Sequence, residues 1–353
     1  MTPASLFDLF APRRLARAAA AFAMGFTVSQ SQFEALGSGL AEIRERGVLM
    51  CGVDTGLAGF AQQDADGRWQ GFEIDLCHAY AAAFLGDATR ARFVPLTSAE
   101  RLSALEAGRI DILLRSTSWT FTRAAQMPVT FAGTYYYDGQ GFLAPADLGV
   151  ASARELDGAR ICVQASTTSI LNLTDFAETY GLNLTPVVAE TPLAAREAFE
   201  AGQCDVVTAD VSALAGLRLG LPEPDAFVIL PDVISKEPLG PVVAARDPRF
   251  AEATRWVLHA LITAEEYGVT AANARELRDT ARSPAVRRLL GAEGAMGEGL
   301  GLDADFALNA ITARGHYGEL FARHLGAQSP LRLERGLNAQ WNEGGLLYAP
   351  PFR

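Results

Sequence analysis

Lysine is almost absent from this sequence, because Lys236 is the only lysine among 30 basic residues. The glycine-rich stretch 291–301 therefore lacks the lysine that a phosphate-binding loop carries at its end. Basic residues are also outnumbered, since the formal net charge is −11, whereas nucleic-acid binding needs a basic face. These shortages argue against a phosphate loop and against a nucleic-acid partner.

Histidine and cysteine are scarce as well, with four of each. No Cys-x-x-Cys pair occurs, and no histidine stands at metal-ligand spacing from a cysteine. His78, His259, His316 and His324 fall on predicted helices, away from the loops that follow the predicted strands. We therefore expect no metal site, no cofactor and no catalytic residue.

Long apolar runs are missing after the first 30 or so residues, so no later segment predicts a membrane helix. At the start of the chain, Arg13, Arg14 and Arg17 precede an alanine-rich apolar run at 18–28. This order is typical of a secretory signal, and the run is too short to span a bilayer comfortably. We predict a signal peptide at 1–34; the alternative is an amphipathic helix that is retained.

The whole chain has the composition of a folded protein of about two domains, with 353 residues of which 49% are apolar. Strand-like runs alternate with helical patterns in two successive series. The runs of the first series lie at 48–53, 92–96 and 110–114, and those of the second at 160–164, 185–189 and 204–208. Such alternation predicts right-handed crossovers and parallel sheets.

We therefore predict a two-lobed α/β fold, in which each lobe is a mostly parallel sheet flanked by helices. Lobe 1 is expected at 40–140 and lobe 2 at 141–238. Residues 239–353 are expected to return to lobe 1 and to end in a helical extension. A cleft between two such lobes is the natural site for a small molecule.

The first half of the predicted site is the stretch that follows the strand at 110–114. Hydroxyl residues, including Ser116 and Ser118, come directly after that strand, and Arg123 follows them. Ligands of open α/β sheets bind outside the carboxyl ends of the strands, and the arginine fork matches a carboxylate. The alternative is a polar loop with a solvated arginine.

The second half lies at the matching positions of lobe 2. Thr168 stands at a strand-to-helix turn, where free backbone N–H groups favour an anion. Asp210 follows the apolar strand at 204–208, although it could instead cap the next helix. Lobe 1 would thus supply an arginine with hydroxyls, and lobe 2 would supply backbone amides with a lone carboxylate. This set complements a zwitterion, because the arginine and the amides can hold its carboxylate and Asp210 its ammonium.

The four cysteines fit two disulfides, since an exported chain with an even count favours pairing. Cys162 and Cys204 are expected on neighbouring strands of lobe 2. Cys51 lies on the first strand of lobe 1, and Cys77 lies on the helix that packs across the same sheet. We predict the pairs Cys51–Cys77 and Cys162–Cys204; the alternative is four buried thiols.

The chain after residue 34 resembles the periplasmic solute-binding proteins of polar-amino-acid ABC transporters, in particular the general L-amino-acid-binding type. The resemblance covers essentially the whole of this part, including the helical C-terminal region. It rests on the segments RGVLMCGVDTGLAGF, GRWQGFEIDLCHAYAAAFLGD, YYYDGQGFL, SARELDGARICVQASTT, VILPDVISKEPLGPVV, RWVLHALITAEEYGVT and RGLNAQWNEGGLLYAPPFR.

This resemblance implies a type II periplasmic-binding-protein fold that closes on free L-amino acids and delivers them to permease subunits in the inner membrane. It implies a periplasmic, non-enzymatic protein, which we expect to be a monomer. By position, Arg123 matches the arginine that holds the ligand carboxylate, and Asp210 the aspartate that takes the ammonium. The remaining matches are the loop and wall residues Ser116, Ser118, Thr168, Asp54 and Leu57.

Two positions depart from the family pattern. Ser166 stands where relatives commonly have glycine, and it would strain the turn if its φ were positive. Arg115 stands where smaller relatives have a small residue, so its side chain could reach the ligand or lie outside the cleft. An enzyme on the same scaffold, such as a dehydratase, is the alternative function, because a fold alone does not fix function.

Overall fold

The computed structural model describes residues 39–353, so the predicted signal peptide lies outside the described residues. The strands are β1 (Leu49–Val53), β2 (Gln62–Gln63), β3 (Trp69–Gln70), β4 (Ala91–Pro95), β5 (Ile112–Leu113), β6 (Val129–Phe131), β7 (Tyr136–Asp138), β8 (Gln140–Pro145), β9 (Arg160–Gln164), β10 (Thr185–Ala189), β11 (Val206–Asp210), β12 (Phe227–Ile229), β13 (Glu237–Leu239) and β14 (Val242–Ala244). The α-helices are α1 (Gly39–Arg46), α2 (Phe72–Leu85), α3 (Arg101–Glu106), α4 (Phe121–Gln126), α5 (Ser169–Tyr180), α6 (Pro192–Glu200), α7 (Val211–Gly220), α8 (Pro248–Glu266), α9 (Ala274–Thr280), α10 (Pro284–Leu289), α11 (Phe306–Arg314) and α12 (Tyr317–His324).

Two five-stranded sheets share one topology. Their strand orders are β4-β1-β5-β14-β6 and β10-β9-β11-β8-β12. In each sheet the first three strands are parallel, as the alternation of strands and helices predicts. The fourth strand pairs antiparallel with both of its neighbours, so the sheets are mixed. We call the first sheet with its helices lobe 1 and the second sheet with its helices lobe 2.

Two short strands join the lobes. β7 leaves the first sheet after β6, β13 returns to it before β14, and the two pair with Glu237 opposite Asp138. Asn338 of the C-terminal segment covers β7, since its side chain bonds the Tyr137 N–H at 2.7 Å and the Tyr137 carbonyl at 3.0 Å. The predicted limits of the lobes remain a prediction.

The core of lobe 1 includes the helices of the C-terminal region. Helix α2 is buried along almost its whole length, and it packs between the first sheet and α11. Its apolar residues surround the helix instead of forming one stripe, which is the pattern of a fully enclosed helix. Gly86 ends the helix with a φ of 70°, a conformation that glycine adopts without strain.

The structure pairs the cysteines as predicted. Cys51 of β1 bonds to Cys77 of α2, with their Cα atoms 6.4 Å apart. Cys162 of β9 bonds to Cys204, with a Cα separation of 5.6 Å. One disulfide therefore fastens a helix to the sheet of lobe 1, and the other joins adjacent segments of lobe 2.

Candidate functional site

A cavity of about 320 Å³ is lined by residues of both lobes. Its walls are the loops after β1, β5 and β9 and the end of β11, together with residues of α3, α6 and α7. All the residues that the sequence assigned to the ligand site lie on it, namely Asp54, Leu57, Ser116, Ser118, Arg123, Thr168 and Asp210. The carboxyl ends of the central strands thus meet at one place, as the topology of such sheets requires.

Arg123 is held in the cavity wall by α4. The Thr120 hydroxyl caps this helix by accepting from the Arg123 N–H at 3.3 Å. The guanidinium is buried and donates to the Ser118 carbonyl at 2.8 Å. Within residues 39–353 it has no carboxylate within ion-pair distance, so most of its donors remain for a ligand. Burial lowers the pKa of Arg123, whereas Glu237 and Asp210 nearby raise it.

Asp210 ends β11 on the lobe 2 side of the cavity. It occupies the position before α7, but its side chain accepts no hydrogen bond from that helix. Asp210 is thus the N-cap residue of α7 by position, but its carboxylate does not serve as a capping acceptor. Burial raises the pKa of Asp210 well above its usual range, and the Asp138 and Glu237 carboxylates raise it further. A ligand cation would relieve this crowding of negative charge.

The hydroxyl loop of lobe 1 is fixed from behind by a buried acid. Glu73 of α2 accepts from the Ser116 N–H at 2.6 Å and from the Ser116 hydroxyl at 2.9 Å. The Tyr135 hydroxyl also donates to this carboxylate. The network holds Ser116 at a φ of 38°, an unusual conformation for a residue other than glycine. Burial raises the pKa of Glu73 above its ordinary value.

The turn of lobe 2 presents backbone to the cavity. The Thr168 hydroxyl donates to Glu237 at 3.0 Å, and Asn172 donates to the same carboxylate at 2.7 Å. In the part of the chain that the structure describes, the Thr168 N–H donates a hydrogen bond to no group. Ser166, which precedes the turn, has a φ of 58°, so the strain considered for this position is present.

Arg115 lies inside the cavity and not outside the cleft. Its guanidinium forms an ion pair with Asp54 at 2.8 Å, and both side chains are buried. Its Nε donates to the Leu96 carbonyl at 2.8 Å, and Asp54 accepts from the Gly56 N–H at 3.0 Å. The two side chains form an ion pair, although the Arg115 Nη2 makes no hydrogen bond within residues 39–353.

Several residues of the site were not identified from the sequence. Arg101 of α3 lines the cavity and is buried. Asp138 and Glu237, on the two connecting strands, act on Asp210 electrostatically. Glu73 positions the hydroxyl loop from inside α2. Only Asp138 offered any signal, because it stands within the aromatic segment YYYDGQGFL, where a charged residue is uncommon.

Within residues 39–353, no helix has the length and apolar character needed to cross a membrane. The same residues contain no cluster of three or more His, Cys, Asp or Glu side chains suited to a metal ion.

Known proteins similar to this chain are transport proteins. The profile of the bacterial extracellular solute-binding proteins, family 3, matches residues 49–268. The glutamate/glutamine/aspartate/asparagine-binding protein BztA of Rhodobacter capsulatus is 49% identical over 316 residues, which cover 90% of this chain and 94% of that protein. The general L-amino acid-binding periplasmic protein AapJ of Rhizobium johnstonii is 47% identical, covering 89% of this chain and 92% of that protein. A solved periplasmic binding protein of an ABC transporter from Brucella ovis, with glutathione bound, has a TM-score of 0.87 and 46% identity, covering 90% of this chain and 99% of that chain.

Proposed function

The chain belongs to family 3 of the bacterial extracellular solute-binding proteins, and we propose that it binds L-amino acids in the cavity between its two lobes. It acts as the substrate-binding component of an ABC transporter and delivers its ligand to the permease. Its relatives are named as binding proteins and not as enzymes, so the dehydratase alternative gains no support.

One observation carries the choice of ligand. Arg123 of lobe 1 and Asp210 of lobe 2 line one cavity, and neither has an ion-pair partner among the described residues. The guanidinium suits an α-carboxylate, which the Thr168 N–H also approaches from lobe 2. The Asp210 carboxylate suits the α-ammonium, and Ser116, Ser118, Leu57 and the Asp54–Arg115 pair form the surrounding wall.

Binding is coupled to closure of the lobes about the connecting strands β7 and β13. A ligand that touches Arg123 and Asp210 together contacts both lobes only when they are closed. It therefore shifts the equilibrium by its greater affinity for the closed form. We propose the lobe limits 40–140 and 141–238, with 239–353 returning to lobe 1.

Location and assembly are proposed by analogy with the family. One relative is named a periplasmic protein, and we propose that residues 1–34 direct export to the same compartment. There the protein acts as a monomer that meets the permease in the inner membrane. Both disulfides suit this oxidising environment.

Glutathione is a second candidate ligand, because it is present in the solved relative from Brucella ovis. It carries an α-amino acid group on its γ-glutamyl end, so the same clasp could hold it. The cavity also continues past Asp210 to Pro192, Arg196 and Gly220, which gives room for a longer molecule.

A thermal-shift screen tests this function. The purified protein is heated with each of the twenty L-amino acids, with reduced glutathione, and with D-amino acids as controls. A ligand that binds only the folded protein raises the melting temperature, so we expect shifts with L-amino acids and their recovery unchanged. No shift with any of these compounds, or conversion of one of them, would contradict the proposal.

A further inference from the structure

The cavity has an excess of positive charge. Three buried guanidiniums line it, those of Arg101, Arg115 and Arg123, against the two carboxylates of Asp54 and Asp210. Arg196 also reaches the cavity, but it is paired with Glu200 at 2.8 Å. Among the residues that line the cavity, one positive charge therefore has no negative partner; the Glu237 and Asp138 carboxylates that act on Asp210 stand on the connecting strands and are not part of this lining.

Arg101 carries this unpaired charge. Asp54 holds Arg115 at 2.8 Å, and Arg123 is assigned to the α-carboxylate under the proposed function. The side chain of Arg101 is 3% exposed and has no carboxylate within ion-pair distance among residues 39–353. Its Nε has no hydrogen-bond partner there. The guanidinium makes one long hydrogen bond, from Nη2 to the Ser166 carbonyl at 3.5 Å.

We propose that Arg101 binds the side-chain carboxylate of the ligand and so selects the acidic amino acids, glutamate and aspartate. This inference rests on the proposed function, since it requires an amino acid in the cavity. A glutamate or aspartate brings a second carboxylate, which can pair with the one lining guanidinium that no other group is assigned to hold.

The position of Arg101 fits this role. Its charge is influenced by Arg115 and Arg123 and also by Asp54 and Asp210, so it lies near the groups assigned to both ends of the amino acid. Burial lowers the pKa of Arg101 well below its usual range, and the two neighbouring guanidiniums lower it further. A carboxylate placed beside Arg101 would relieve both effects.

Selectivity follows from the cost of leaving a buried charge without a partner. A neutral side chain, such as that of alanine, would exclude water from Arg101 without supplying an acceptor. A site built to hydrogen-bond one group of its ligand strongly rejects ligands that lack this group. An apolar pocket discriminates less strongly between ligands that differ only in size.

A structural role is the competing explanation. Arg101 of lobe 1 donates to Ser166 of lobe 2, so it could serve only as a latch that holds the lobes together. A latch stabilises the closed form with every ligand equally. If Arg101 instead binds the side-chain carboxylate, loss of Arg101 lowers the affinity for glutamate far more than the affinity for glutamine or alanine.

Calorimetric titrations with L-glutamate, L-glutamine and L-alanine separate the two roles. They are run on the wild type, on Arg101→Met and on Arg160→Met, a control at an arginine that pairs with Asp205 at 2.7 Å and does not line the cavity. We expect Arg101→Met to lower the ratio of glutamate to alanine affinity at least about tenfold, and the ratio of glutamate to glutamine in the same direction. Arg160→Met should keep both ratios.

The outcomes remain distinguishable from those of the proposed function. If the wild type binds none of the compounds of the thermal-shift screen, the proposed function fails, and if it binds others but not glutamate, only the proposal for Arg101 fails. If it binds the three amino acids but Arg101→Met weakens all three equally, or none, then the proposal for Arg101 is overturned while the function stands. Melting curves of each variant identify any loss of folded protein, and Arg101→Lys should restore part of the glutamate preference.

Discussion

At the scale of single residues, the cavity depends on buried charges that satisfy one another. Arg115 and Asp54 are 2.8 Å apart, with about 4% of each side chain exposed. Taking two charges out of water costs free energy, and each charge of the pair compensates this cost for the other. Removal of one member therefore leaves the other buried without compensation. The ion pair fixes the loop after β1, where Leu57 forms part of the cavity wall.

Asp54→Ala should lower the free energy of unfolding by about 3–5 kcal/mol, because it leaves the Arg115 guanidinium buried without its partner. Urea denaturation of the two proteins measures this difference. Arg160→Ala is the control, since Arg160 pairs with Asp205 at a partly exposed site and should cost less than about 1 kcal/mol. Equal losses in the two variants would show that the buried pair has no special role.

The residues that could be predicted from the sequence lie at the end of an apolar strand or in the polar segment that follows it. Asp210 ends β11, Thr168 follows β9, and Arg123 comes after the hydroxyl residues that follow β5, and all three line the cavity. Arg101 was missed because an arginine in a helical pattern ordinarily faces solvent. Glu237 was missed because only the pairing of β13 with β7 brings it near the site.

At the scale of elements, the strands and helices of the lobe cores were predictable and their ends were not. Helix α3 begins at Arg101, and a turn precedes it in which the Thr97 N–H donates to the Glu100 carboxylate at 3.1 Å. The antiparallel strands β8 and β14 were also missed as sheet partners, because their neighbours β11 and β5 are far away in the chain. Local pattern cannot supply such pairings.

The disulfides are the clearest element-scale stabilisers, because each closes a loop in the unfolded chain. The loop between Cys162 and Cys204 spans 42 residues, and that between Cys51 and Cys77 spans 26. Replacing either pair by alanines should lower the free energy of unfolding by about 2–4 kcal/mol. Urea denaturation of the two double variants measures it, and a loss below about 0.5 kcal/mol in both would contradict this prediction.

At the scale of the whole molecule, acidic groups lie where the lobes are joined. Asp138 of β7 faces Glu237 of β13, and both act on Asp210. Burial raises the pKa of Asp138 to about 6, although bonds from Ser212 and Gly139 oppose the rise. The strands about which the lobes move therefore share an electrostatic environment with the carboxylate proposed to hold the ligand.

Affinity for an amino acid should consequently fall as the pH is lowered from 7.5 to 5.5. A ligand ammonium needs an ionised Asp210, whose pKa is raised, so protonation competes with binding on the acid side. Calorimetry with L-glutamate at both pH values, in buffers of different ionisation enthalpy, measures the affinity and the protons released. Asp138→Asn should move the loss of affinity to lower pH, and an affinity that does not change over this range would contradict the prediction.

The central claim is that one free amino acid is held between Arg123 of lobe 1 and Asp210 of lobe 2. Calorimetric titration of L-glutamate into the wild type, Arg123→Ala and Asp210→Ala tests it most directly, with melting curves to show that each variant is folded. We expect each substitution to weaken binding at least about 100-fold, since each removes a charge-assisted contact to the ligand. Wild-type affinity in both folded variants would show that the ligand binds elsewhere.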